Sequence, residues 1–334
     1  MTISTNPREN ANCGWEARAR ASSIKGLVWD SGSECARQPL YDLGSVVDVE
    51  RVMVMGAERE MGGTIAVTFI SQEYARVGLN WVEAMRRLGL RNYLVIAGDL
   101  PTFRALDALS VACVEARLEG AARHAADVSP VGFTYKGLAM TALKFPLVHT
   151  LLRMGLNVIM SDADAVWLKD PMTAIVKWDV DCAFQRVVYF PRAIAMLWGF
   201  AACSGFAFFR SGAGATALLE ACVEEHKGVQ DDQVAMNLAL LSAGIHWADN
   251  IRCSKAEPVG EANLISDFRR RGRRPIRGRA TQHGLDIIAL PHHQFWRHDW
   301  FDSDQTEMVI CHPNAAKRDN EKIKRFEELG VLYV

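Results

Sequence analysis

The stretch NVIMSDADAVWLKDP, Asn157 to Pro171, drives an apolar run into two carboxylates one residue apart, then returns to apolar residues and stops at Asp-Pro. Charge at the edge of a core is costly unless something compensates it. At a strand's end the two side chains of a D-x-D diverge, and a turn brings both toward one hard cation with oxygen ligands, Mg²⁺ or Mn²⁺. Spelling alone does not select this pair. Asp179/Asp181 straddle the entry to a strand-like piece and Asp302/Asp304 lie in a polar loop. Only Asp162/Asp164 follows an apolar strand preceded by a helix.

Working outward, the pattern predicts a helix over about 137–154, with Pro146 as a point of kink or break. Upstream, TIAVTFI (Thr64 to Ile70) is a β-branched run of buried-strand type. Val77, Trp81, Ala84, Met85 and Leu88 then recur at helical spacing before Gly89. NYLVIAGD reads as a second strand, followed by a helix over about 101–118. Downstream, DCAFQ and GFAFFR read as strands, 214–226 as a helix, and another helix starts at Asp231–Asp232. LDIIAL and EMVICH read as late strands, DNEKIKRFEEL as a surface helix, and 46–55 as a short amphipathic helix. Strands alternating with helices predict an α/β sheet, parallel in its first half. Ligands on such sheets collect at the carboxyl ends of strands, where Asp162 and Asp164 sit. The expected organisation is one α/β domain over 63–334 behind an extension, 1–62.

Composition narrows the function classes. A net charge of −1 gives no global pull toward nucleic acid or anionic membrane. The eight cysteines are scattered without a C-x-x-C pair, which favours a reducing compartment and a cytoplasmic location. The polar start MTISTNPRENANCGWEARARASS has no apolar signal core, and no apolar run approaches the roughly 20 residues of a membrane span.

The segment TYKGLAMTALKFPLVHTLLRMGLNVIMSDADAVWLKDP resembles the central part of the nucleotide-diphospho-sugar transferases of GT-A fold. The likeness is greatest to the retaining family of plant cell-wall arabinosyl- and xylosyltransferases and a protist galactosyltransferase. TFISQEYARVGLNWVEAM, CSGFAFFRS and DDQVAMN extend the resemblance over roughly 64–240, and ICHPNAAK adds a looser C-terminal match. It implies a GT-A, Rossmann-like fold with a mixed, mostly parallel sheet.

The activity implied is metal-dependent, retaining transfer from a nucleotide sugar, first of all a UDP-sugar. The acceptor would be a hydroxyl of a glycan, protein, small molecule or nucleic acid. In that family the motif carboxylates bind Mn²⁺ and, through it, the donor diphosphate. The resemblance makes Asp164 a direct ligand, Asp162 a ligand or ribose contact, and His312 the late histidine of the metal shell. Lys317 would meet the diphosphate, and Lys144 would face the donor. Thr68, Ser71 and Tyr74 sit where base and ribose dock, while Ser204 and Gly205 line the sugar pocket. Asp231, Asp232 and Gln233 approach the transferred sugar and acceptor, although either aspartate also suits a helix N-cap. His292, His293 and His298 compete with His312 for the ligand role. Asn80 and Trp81 read as helix packing.

Two other classes fit parts of the chain. IMSDADAVW also matches the opening motif of haloacid-dehalogenase-type phosphatases, with Asp162 as nucleophile and Asp164 as general acid. That motif normally opens its domain, whereas here a long folded stretch precedes it. FRRRGRRPIRGR, Phe268 to Arg279, carries seven arginines able to grip nucleic-acid phosphates or to close over a diphosphate, but no interleaved aromatics.

Overall fold

The β-branched run Thr64–Ile70 forms β1, flanked in parallel by β2 (Tyr93–Ala97) and β4 (Asn157–Ser161). The computed structural model describes residues 47–117, 135–229, 231–248, 261–313 and 319–334. The main sheet also contains β3 (Cys113–Glu115), β6 (Cys182–Val187), β7 (Ala201–Phe209), β8 (Ile245–Trp247), β9 (Ile276–Ala280) and β10 (Leu285–Ala289). Its order is β3-β2-β1-β4-β7-β6-β10-β9-β8. Only β7 and β9 run against the others, so the sheet is mixed and mostly parallel.

Alternate strand residues feed two cores, as the two-residue period of a strand requires. On one face lie α1 (Val49–Arg59), α4 (Tyr135–Arg153), α7 (Ala213–Val229) and α8 (Asp232–Ser242), burying Val52, Val148, Leu218 and Leu238 with Ile65, Val67 and Val158. The other face holds α2 (Ala75–Arg87), α3 (Leu100–Ala108) and α10 (Asp319–Glu328). There Trp81, Leu106 and Phe326 pack with Ala66, Val95 and Ile159. A small sheet on this face joins β11 (Phe295–Trp296), β12 (Ile310–Cys311) and β5 (Val166–Trp167). The remaining helices are α5 (Met172–Ile175), α6 (Arg192–Trp198) and α9 (Glu261–Arg271).

Four expectations change. The helix expected to reach 118 ends at Ala108; Ser110 turns the chain with φ of 54°, and Cys113 and Val114 enter β3. A short apolar run suits either element by periodicity, and pairing with β2 decides. Pro146 does not interrupt α4, which loses only the one hydrogen bond that proline cannot donate. EMVICH narrows to Ile310–Cys311, the two residues that pair with both β11 and β5. The charged α10 is not wholly a surface helix, since it buries Lys322, Ile323 and Phe326 along one side.

Candidate active site

The D-x-D turn begins where β4 ends. Ser161 Oγ accepts hydrogen bonds from both the Trp81 and Trp167 indoles at 3.2 and 3.1 Å, which fixes the chain just before Asp162. The Asp162 N–H then donates to the Gly205 carbonyl at 2.7 Å. Gly205 lies where the register between β6 and β7 jumps, Phe184 facing Ala207 and Gln185 facing Cys203. The bulge frees Ser204 and Gly205 from the β6 ladder and turns that stretch toward the carboxylates. A Cβ on Gly205 would stand 2.4 Å from His312 Cε1 and 2.6 Å from Asp162 Oδ2, so only glycine fits.

His312 arrives from a distant part of the chain. β12 pairs antiparallel with β5, Cys311 opposite Val166, which lays His312 beside the D-x-D turn. Asp162, Asp164 and His312 each offer a ligand atom, all within 4.8 Å of one another. Among the described residues this is the one such His/Cys/Asp/Glu group.

The histidine's protonation follows from its neighbours. The Gln185 amide nitrogen donates to the Phe295 and Trp296 carbonyls at 3.1 and 3.2 Å, so Gln185 Oε1 faces His312 Nδ1 at 2.7 Å. That oxygen requires a proton on Nδ1 and leaves the lone pair on Nε2. Burial, reinforced by Arg297 and opposed by Asp164, lowers the His312 pKa and keeps the ring neutral. Nε2 therefore points its lone pair at Asp164 Oδ1, 3.3 Å away. Two acceptors facing each other require positive charge between or beside them. A hard or borderline dication held by two carboxylates and one imidazole fits this donor set.

Basic side chains surround the cluster. Lys144 on α4 bridges Asp162 and Asp232, at 2.6 Å to each. Burial opposes its charge, but the two aspartates outweigh burial and raise its pKa. Asp232 is likewise held ionised, burial being overcome by Lys144 with help from His226 and Ser204. Lys322 on α10 forms an ion pair with Asp164. Lys322 holds the Asp164 carboxyl well below the usual range despite its burial. Arg297 Nη1 lies 2.8 Å from His312 Nδ1 and also contacts Nε2, the nitrogen that can accept.

The other expected site residues divide. Burial, then Asp164 and Asp162, raise the Tyr74 phenol, whose ring also lies near Lys322. Ser71 opens the turn after β1, and Thr68 is fully buried in β1 with no hydrogen-bond partner for Oγ1 among the described residues. Asp231 caps α8 by accepting from the Val234 N–H at 2.8 Å, leaving Asp232 to Lys144. Gln233 donates to the Phe190 carbonyl at 2.6 Å. Lys317 lies outside the described residues. His292 and His298 bond to backbone N–H groups of the 297–298 and 188 segments and do not join the cluster; nor does His293.

The sequence pattern does not single out Arg297 or Lys322. Lys322 carries one available signal, its place beside Ile323 and four residues before Phe326 on a helix face that must be apolar. Arg297 has none beyond its neighbourhood in PHHQFWRHDW. The arginine-rich segment finds partners within the chain. Arg270 and Arg271 meet Asp267, Arg273 meets Glu307, Arg279 meets Asp286, and Arg269 and Arg277 reach the Trp300 and Trp178 carbonyls. Buried Arg186 donates to the Arg271, Gly272 and Arg274 carbonyls and ties the turn to the core.

A family model of nucleotide-diphospho-sugar transferases matches residues 88–326. The chain belongs to that family. Curated protein sequences give no match. Solved structures similar to this transferase include the galactosyltransferase LgtC with donor and acceptor sugar analogs, at 9% identity and TM-score 0.40 over 81% of this chain and 97% of that one. Mouse xyloside xylosyltransferase 1 in apo form shows 10% identity and TM-score 0.40 over 75% and 97%. The glycosyltransferase GlyE of Streptococcus pneumoniae TIGR4 shows 14% identity and TM-score 0.34 over 52% and 42%. The chain thus spans under half of GlyE, and 51% of the bifunctional glycosyltransferase WbbM. Among the described residues no helix is long and apolar enough to cross a membrane.

Proposed function

We propose that this transferase is a metal-dependent, retaining enzyme moving a sugar from a UDP-sugar to a hydroxyl acceptor. Asp162, Asp164 and His312 would hold Mn²⁺, with Mg²⁺ as substitute. The observation that carries the reading is the lone pair of His312 Nε2 facing Asp164 Oδ1 within a cluster that also includes Asp162. A metal there supplies Lewis-acid stabilisation of the departing nucleoside diphosphate.

The chain's own groups do the rest. Lys144 holds Asp162 and Asp232 in fixed positions, and Gly205 lets the backbone lie against both Asp162 and His312. Asp232, kept anionic and buried, faces positive charge developing on the transferred sugar, with Ser204 at its side. Ser71 and Tyr74 receive the base and ribose beyond the carboxyl end of β1, whereas Thr68, fully buried in the strand, does not touch them. In a front-face displacement the leaving phosphate takes the acceptor's proton, while Asp231 serves as the cap of α8 and Gln233 anchors the Phe190 segment beside it.

The catalytic unit is 63–334, with 1–62 as an extension whose helix α1 packs Val52 into the core. A cytoplasmic setting accords with the five described cysteines, all buried and free. The decisive experiment is hydrolysis and transfer over a panel of nucleotide sugars with Mn²⁺, with EDTA as control. Turnover is expected only with metal and highest with a UDP-sugar. Release of phosphate from simple phosphomonoesters with no nucleotide sugar consumed would revive the phosphatase alternative.

A further inference from the structure

Each proposed metal ligand is already gripped by a cationic side chain of the same chain. Lys144 holds Asp162 at 2.6 Å, Lys322 holds Asp164, and Arg297 holds His312. Asp232, on the second arm of Lys144, completes a set of three carboxylates facing three cations. This cluster is balanced in charge, and a dication entering it alone would leave it positive. The side chain on Asp164 is itself buried, as is His312, so screening by water is weak there.

The three cations are not equivalent. Lys144 has two aspartates, and it keeps Asp232 whatever Asp162 does. Lys322 holds a carboxylate that the metal needs, Asp164, and Arg297 lies against both ring nitrogens of His312. Both come from the C-terminal part of the fold, Lys322 from α10 and Arg297 from the segment just after β11.

We infer that Arg297 and Lys322 are diphosphate-binding residues parked on the metal ligands. They release His312 and Asp164 to the metal and turn to the phosphate oxygens. The inference rests on the donor-site reading above and adds a consequence to it. Metal and nucleoside diphosphate each remove the obstacle to the other, because the dication's two positive charges and the diphosphate's negative charges restore balance only together. Their binding is therefore reciprocal, each tightening the other by a factor within the usual range of about 5–150.

The test is titration of the protein with Mn²⁺ alone, UDP alone, and each in the presence of the other. Free Mn²⁺ is followed by electron paramagnetic resonance and heat by calorimetry, so no turnover is needed. The wild-type protein is expected to bind Mn²⁺ at least tenfold more tightly when saturated with UDP. Lys322→Met and Arg297→Met are expected to bind Mn²⁺ alone severalfold more tightly than wild type, to bind UDP more weakly, and to lose most of the coupling. Lys322→Arg and Arg297→Lys, which keep the charge, are expected to retain coupling. Binding of both ligands by wild type without mutual tightening overturns the inference, whichever variants fold. So do methionine variants with unchanged coupling. Failure of wild type to bind either ligand under any combination defeats the donor-site reading itself.

Discussion

Asp162/Asp164 and Asp179/Asp181 have the same spelling, a short distance apart in the chain, and opposite surroundings. Asp179 has a left-handed φ of 45°, a side chain 88% exposed, and one surface pair with Arg210. Asp181 accepts a backbone bond from Asp286 at the edge of the β6–β10 pairing. The Asp164 side chain, by contrast, is 12% exposed and lies between a lysine and a histidine from the far end of the chain. A carboxylate pair becomes chemistry when the fold withdraws it from water and surrounds it with groups that need its charge. The same two letters in a solvated turn do neither.

The comparison breaks most sharply at Asp164. Asp164→Asn keeps the shape and removes the charge that Lys322 and a metal would share. Transfer with saturating Mn²⁺ is expected to fall roughly 10²–10³-fold, the range seen when one charge-stabilising group is removed from an active site. Turnover near wild type would detach the metal reading from this residue. The next largest effect is Gly205→Ala. Its Cβ meets the Asp162 carboxylate and the His312 ring, whereas a Cβ on Gly284 meets nothing within 4 Å. Gly205→Ala is expected to weaken Mn²⁺–UDP binding at least tenfold and to cost about 1–3 kcal/mol of stability by overpacking. Gly284→Ala, with a φ of +64°, is expected to cost only the left-handed strain, about 1–2 kcal/mol, and to leave binding alone. Calorimetry and denaturant unfolding on both variants separate these outcomes.

The sequence made the carboxylate half of the site legible and left the cationic half hidden, for a physical reason. Asp162 and Asp164 sit on one strand end, so local pattern, apolar run then acid, exposes them. Gly205 and Asp232 could be found because CSGF and DDQ lie within the resembling segments. Lys322 and Arg297 act through long-range pairing. The spacing of Lys322 to Phe326 in DNEKIKRFEEL puts the lysine on the buried face of α10, but nothing local announces that this face meets Asp164. Strand β3 is hidden in the sequence for a related reason. Three residues carry too little periodicity to outvote the helix before them, and only pairing with β2 defines them.

Histidines extend the contrast to stability. His312 is oriented by Gln185 toward the acids, while His298 stacks on Trp300 and accepts the Val188 N–H at 3.1 Å. Burial, with Arg297 adding to it, pushes the His298 pKa down to about 3. A base whose pKa is depressed on folding contributes stability that is complete above its unfolded value, near 6.5, and is lost as pH falls below it toward the folded value. Below the folded value the loss approaches roughly 5 kcal/mol if the group acts alone. Urea unfolding from pH 7 to pH 4 is expected to show a steadily falling midpoint, flattened in His298→Gln. A midpoint independent of pH over that window in wild type would mean the ring is not held neutral.

The smallest effect belongs to the two aspartate pairs that share only the spelling. Asp179→Asn keeps a residue tolerant of the left-handed region, and Asp304→Asn keeps an oxygen for the Thr306 N–H that Asp304 Oδ1 binds at 2.8 Å. Each loses an exposed charge whose pairing is screened by water and salt. Melting temperature in either variant is expected within about 2 °C of wild type, and Mn²⁺ affinity and turnover within about twofold. A larger loss of Mn²⁺ affinity in Asp304→Asn would show that the 302–304 loop reaches the site, and burial would no longer separate the working carboxylates from the idle ones.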